Sequence, residues 1–143
     1  MTISGNPPAP TDSVHHIGIA VSNLDASIKF YQDLFGLQPG PIIERPDLQV
    51  RGCFIPVGDT NLELLQGTDP NSLIVSHISK RGEGLHHVCF EVEEIGEKLK
   101  SLNDLGIDML DKVPKQGLAG GLIGFLNPSA SKGVLIELAQ HDH

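Results

Sequence analysis

The sequence predicts an α+β fold made by using one unit twice, and three observations carry that reading. The stretch Val14-His15-His16-Ile17-Gly18-Ile19-Ala20-Val21 returns as Leu85-His86-His87-Val88-Cys89-Phe90-Glu91-Val92, 71 positions later. The apolar stripe Leu24, Ile28, Tyr31, Leu34 returns at the same offset as Ile95, Leu99, Leu102, Leu105. Asn61-Leu62-Glu63-Leu64 is answered 74 positions on by Leu135-Ile136-Glu137-Leu138. Self-similarity at a fixed offset outranks any local motif as a guide to architecture.

Each element follows from local chemistry. Val14 to Val21 is rich in β-branched residues and reads as a strand. Ser22 or Asn23 can cap the next helix by accepting from an orphan N–H. That helix ends at Phe35, because Gly36 supplies a left-handed stop. Pro39, Pro41 and Pro46 keep the chain out of helix. Strands follow near Val50 to Val57 and Thr60 to Gln66, with a further short strand near Pro41 to Glu44. Asp69-Pro70-Asn71-Ser72 reads as a turn and cap before a short helix over Leu73 to Lys80. The second half repeats the plan, with a strand at 86–92 and a helix at 94–105, ended by Gly106. Its further strands are expected near 107–113, 121–126 and 133–139. Gln116 to Gly121 reads as a flexible loop, and Asn127 to Gly133 as the hairpin before the last strand. Residues 1–13 read as a flexible leader, 14–68 as module one, 69–83 as a linker and 84–140 as module two. Gln140 to His143 is expected to be a mobile tail.

Composition excludes several classes. The chain has 143 residues, enough for one domain with a core. No apolar run approaches the ~20 residues of a membrane helix. The formal charge of −8 argues against nucleic acid and against an anionic membrane surface. Two cysteines, Cys53 and Cys89, make no disulfide framework, so a reducing compartment, the cytoplasm, is expected.

Strand parity sorts the side chains. Ile17, Ile19 and Val21 share the face expected under the helix, and Val88, Phe90 and Val92 repeat it. Leu62 and Leu64, then Val134, Ile136 and Leu138, extend that face. His16, Glu63, His87 and Glu137 lie on the opposite faces, where Gly18 and Ala20 leave space. A lone histidine or glutamate in a strand ordinarily packs or is solvated. Four at matched positions of a repeat make a set of two nitrogens and two hard oxygens, suited to a divalent first-row metal. His15 and His86 fall on the core side and read as packing or supporting residues. Cys89 shares the face of His87 but reads as a small apolar residue, with no charge partner to activate it.

The sequence resembles the vicinal oxygen chelate superfamily, which includes glyoxalase I, extradiol dioxygenases and methylmalonyl-CoA epimerases. The resemblance covers nearly all of Val14 to Gln140. It rests on the His16-to-Val21 strand, Phe30-Tyr31-Gln32-Asp33-Leu34-Phe35-Gly36-Leu37, Pro56-Val57-Gly58-Asp59-Thr60 and Phe125-Leu126-Asn127-Pro128. Lys80-Arg81-Gly82-Glu83-Gly84-Leu85-His86-His87 and Gly133-Val134-Leu135-Ile136-Glu137-Leu138 are closest to the epimerase-like members. It implies two tandem βαβββ modules forming an open, cup-shaped sheet with helices outside, as one domain over 14–140, in a homodimer. It also implies metal ligation by His16, Glu63, His87 and Glu137. Co²⁺ is the family's usual epimerase metal; Zn²⁺, Ni²⁺, Mn²⁺ and Mg²⁺ fit the same shell. Three positions depart from the epimerase pattern. Gly52 stands where bacterial epimerases carry a catalytic glutamate, and Asn127 and Ser129 replace a histidine and a lysine.

The implied activity is epimerisation of a 2-substituted acyl-CoA, methylmalonyl-CoA first, by α-proton abstraction through a metal-stabilised enolate. Glu137 and Glu63 are the expected acid and base; Glu91 and Glu44 are weaker candidates. Lys80, Arg81, Arg51 and Lys132 are the basic groups available to an acyl-CoA. A glyoxalase I-type isomerase acting on a glutathione hemithioacetal would use the same four ligands. A small-molecule-binding resistance module is the non-enzymatic alternative.

Overall fold

The computed structural model describes residues 11 and 13–141. The leader expected over 1–13 lies almost wholly outside the described residues, as do 142 and 143 of the expected tail. The chain divides into two compact units: residues 15–88, and 89–141 together with Ser13 and Val14.

The first unit holds β1 (Ser13–Ala20), α1 (Leu24–Phe35), β2 (Ile42–Arg45), β3 (Val50–Val57), β4 (Thr60–Gly67), α2 (Leu73–Arg81) and most of β5 (Gly84–Glu91). Its strands lie in the order β2-β3-β4-β1-β5. β1 and β4 are parallel, with His16 opposite Asn61 and Gly18 opposite Glu63. β3 and β4 are antiparallel, with Phe54 opposite Glu63 and Gly52 opposite Leu65. The expected helix and strand limits hold to within about two residues. Asn23, of the two candidate caps, accepts from the Ala26 N–H over 3.0 Å. Gly36 takes φ 65° at the helix end, a conformation that only glycine adopts without strain. The core forms where the parity argument places it: Val21, Leu24, Ile28, Cys53, Ile55 and Leu64 pack together, with Ile19, Tyr31 and Leu62 against them. Ile17 is half-buried and stands outside that cluster.

The second unit holds the end of β5, α3 (Ile95–Asp104), β6 (Lys115–Gln116), β7 (Leu122–Phe125) and β8 (Ile136–Gln140), in the strand order β5-β8-β7-β6. Ile95, Leu99, Met109 and Leu138 form its core, with Phe90, Val92, Leu102 and Ile136 packed against it. Two modules of the plan βαβββ are therefore present.

Four local expectations are corrected. No strand spans 107–113; only Met109 bridges, to Leu126. The N–H groups of Leu110 and Asp111 both donate to the Phe125 carbonyl, and the Asp111 carboxylate accepts from the Phe125 N–H. Two residues against one is a bulge, which disrupts the ladder, and Pro114 lacks a donor to resume it at once. β8 starts at Ile136 rather than 133, because Lys132 and Gly133 adopt φ of 59° and 95° in the preceding turn. Val134 is accordingly 49% exposed instead of being core. Leu34 and Leu105, the last positions of the two helical stripes, are also exposed. Gln140 belongs to β8, and the Glu91 carboxylate accepts from the His141 N–H over 3.0 Å, so the described part of the tail is tied down.

Candidate metal centre

β1, β4 and β5 bring His16, Glu63 and His87 together. His16, Glu63 and His87 are each more than nine-tenths buried. Their inward atoms form a triangle. His16 Nε2 lies 3.0 Å from His87 Nε2. Glu63 Oε1 lies 3.4 Å from His16 Nε2 and 3.2 Å from His87 Nε2. Three donor atoms mutually this close cannot all be joined by near-linear hydrogen bonds. Two nitrogens bound at about 2.0–2.1 Å at right angles round one cation would stand about 3 Å apart, so the spacing fits a divalent ion.

The histidine doublets orient these rings. His15 Nδ1 lies 2.7 Å from His16 Nδ1, and His86 Nδ1 lies 2.9 Å from His87 Nδ1. A proton on Nδ1 of the second histidine leaves its Nε2 lone pair facing the triangle. The His86 ring packs edge-on against His77 of α2, with centroids 4.7 Å apart. The Asn61 amide donates to the His15 carbonyl over 3.0 Å and ties the start of β1 to β4. Phe54, which the sequence reading did not single out, packs edge-on to His16 at 5.5 Å. Its parity in β3 was the available signal, since it pairs with Glu63.

In the second unit Glu137 is 4% exposed, on β8 opposite Phe125. Its neighbours Leu138 and Ile136 join the helix-covered core, the alternation expected of it. Glu91, a weaker candidate, is engaged by His141, whose Nδ1 lies 2.8 Å from Glu91 Oε2. Glu44 stands opposite Arg51 on the other face of the sheet from Glu63, so it takes no part in the triangle. Arg51 reaches Glu44 over 3.2 Å and Asp25 over 3.5 Å, both away from the triangle. Lys80, Arg81 and Lys132 are exposed.

The departures from the epimerase pattern have local roles. Asn127 Oδ1 accepts from the Ser129 N–H over 3.0 Å, closing an Asx turn, and Ser129 Oγ reaches Asp108. Gly52 is buried in β3. Cys53 and Cys89 are both buried and in no disulfide, and burial pushes the Cys53 thiol above its usual range. A groove of about 550 Å³ beside α1, lined by Val21, Ala26, Phe30, Tyr31 and Glu83 among others, contains none of the triangle residues.

Residues 15–125 match the model of the Glyoxalase/Bleomycin resistance protein/Dioxygenase superfamily. The chain belongs to that superfamily. The mitochondrial methylmalonyl-CoA epimerase of Bos taurus is 34% identical over 128 residues, covering 89% of this chain and 73% of its own. The ethylmalonyl-CoA/methylmalonyl-CoA epimerase of Cereibacter sphaeroides is 34% identical over 129 residues, covering 89% and 96%. A solved methylmalonyl-CoA epimerase in complex with methylmalonyl-CoA and ammonium superposes with a TM-score of 0.87 at 30% identity, over 92% of this chain and 95% of the other. Among the described residues no helix is long and apolar enough to cross a membrane.

Proposed function

We propose that this chain is a metal-dependent epimerase of 2-substituted acyl-CoA thioesters, with methylmalonyl-CoA the first substrate to test. The observation that carries the reading is the buried His16–Glu63–His87 triangle in a chain whose relatives include epimerases. In this reading Glu137 is the fourth ligand, since it repeats Glu63 at the offset of 74. When bound, a divalent ion, Co²⁺ first, supplies Lewis-acid stabilisation of charge developing on the thioester oxygen.

The chain's own residues do the rest. His16 and His87 hold the site through Nε2 while their Nδ1 atoms are engaged by His15 and His86. Inverting an α-carbon requires a base on one face and an acid on the other. Glu137 is assigned the first role and Glu63 the second, because Gly52 has no group to offer and Glu44 is turned to the other sheet face. Burial of Glu63 and of Glu137 keeps each carboxylate out of bulk solvent. Lys80, Arg81 and Lys132 are the cations left to meet CoA phosphates. The working form is taken to be a cytoplasmic homodimer.

The test is proton NMR of methylmalonyl-CoA in D₂O with chelator-treated protein, with and without added Co²⁺. Metal-dependent loss of the α-proton signal is expected. A folded, metal-loaded sample that leaves the signal intact would sink the acyl-CoA assignment, and methylglyoxal with glutathione would be the next substrate.

A further inference from the structure

The position of the His87 ring depends on a residue that has no side chain. Gly18 follows His16 on the same face of β1 and lies directly across from Glu63 in the β1–β4 register. A Cβ placed on Gly18 would fall 2.1 Å from His87 Cε1, 2.2 Å from Nδ1 and 2.8 Å from Nε2. All three nearest atoms belong to that one ring. Real Cβ atoms are essentially never found closer than 3.0 Å to such an atom, so the ring would have to move by about 0.9 Å at the least. Gly18 lies within a regular strand and does not have the positive φ of Gly36, Gly58 or Gly82. The backbone therefore does not require glycine here; only the absence of a side chain is used.

We infer that Gly18 is a positioning residue for the metal centre. By leaving bare backbone on β1, it lets the His87 imidazole lie against the strand with Nε2 in reach of His16 and Glu63. The inference rests on the metal reading above. It adds a residue that touches neither ion nor substrate and acts through His87. The repeat sharpens the point, because the position 71 residues on is Cys89, so the two halves do not share the glycine.

The experiment has two arms. In the first, Co²⁺ is titrated into the wild type, Gly18→Ala and Gly124→Ala, and read by calorimetry and by the visible d–d bands. Gly124 is the control: a Cβ there would meet Leu99 Cδ1 at 2.8 Å, in the core under α3, among none of the proposed ligands. Gly18→Ala should bind Co²⁺ roughly 10–100-fold more weakly with altered bands, the usual loss when a ligand's support is disturbed. Gly124→Ala should lose stability but keep wild-type affinity and bands. Wild-type affinity and bands in Gly18→Ala would overturn the inference. A folded wild type that binds no divalent ion would overturn the metal reading, and this inference with it.

The second arm is a metal-free stability cycle of Gly18→Ala, His87→Ala and the double variant. Gly18→Ala should destabilise the wild type and be tolerated once His87 is alanine. If Gly18→Ala alone fails to fold, recovery in the double variant still supports the inference. Equal destabilisation in both backgrounds, or failure of both to fold, would overturn it.

Discussion

The Leu24 N–H donates to Gln66 Oε1 over 2.7 Å, and 71 positions later the Ile95 N–H donates to Gln140 Oε1 over 3.0 Å. The Val21 N–H donates to the Leu65 carbonyl and the Val92 N–H to the Ala139 carbonyl. Lys29 pairs with Asp33, and Lys100 with Asp104. The halves thus agree in the strand–helix junction and in the helix itself. They part at the outer strands. β3 has eight residues in unbroken register with β4, while its counterpart β7 has four paired with β8; β2 has four residues where β6 has two, after the bulge at Leu110 and Asp111. They part also at the caps: Asn23 caps α1, whereas the Glu94 side chain makes no cap hydrogen bond to α3. The physical lesson is about tolerance. Strands that must aim a histidine or a buried glutamate admit no register slip, because one residue turns every side chain to the other face. An outer strand has only to complete a ladder, and a bulge there costs little.

The proposed chemistry gives the largest expected contrast. If the halves were functionally equivalent, Glu63→Gln and Glu137→Gln would behave alike. In the proposed assignment Glu137→Gln lowers α-proton exchange by about 10²–10⁴-fold, the usual worth of a positioned acid or base. Glu63→Gln keeps an oxygen for the ion but removes the second acid–base group, so it should block inversion while α-proton exchange on the face served by Glu137 persists. Deuterium incorporation into methylmalonyl-CoA, followed by NMR, measures both. Equal rates for the two variants would remove the distinction between them.

The cores differ next. Leu99 is fully buried, whereas its repeat partner Ile28 is 9% exposed. Both truncations to alanine fall in the range of about 2–5 kcal/mol, with Leu99→Ala the larger because more contact is lost around it. Urea unfolding ranks them, and the reverse order would show that the second core collapses more readily around a cavity.

A smaller contrast lies at the helix starts. Removing a side-chain acceptor from a helix N-terminus costs about 1 kcal/mol. Gln140→Ala leaves α3 without a side-chain cap, while Gln66→Ala leaves α1 with Asn23. Gln140→Ala should therefore lower the Tm more than Gln66→Ala, and equal shifts would mean that Asn23 adds nothing. The smallest effect is at the exposed Lys29–Asp33 and Lys100–Asp104 pairs. Replacing either lysine by alanine should leave thermal stability almost unchanged and insensitive to salt.

The sequence by itself determined the duplicated plan, both helices, the strands that carry His16, Glu63 and His87, and the face each occupies. Those features follow from short-range rules, period two in strands and 3.6 in helices, and a repeat states each of them twice. Tertiary structure alone decided the rest. The closeness of His16, Glu63 and His87 depends on pairing between segments far apart in the chain, which no local pattern encodes. Gly18 as the seat of the His87 ring and Phe54 against His16 belong to the same class. So do the glutamines that cap helices from a neighbouring strand. The irregular path from Met109 to Lys115 was decided by competition for one carbonyl, that of Phe125, and by the Asp111 side chain replacing a ladder bond. Such contests are settled by what packs nearby, so the apolar pattern of residues 107–113 pointed to a strand that tertiary structure did not form.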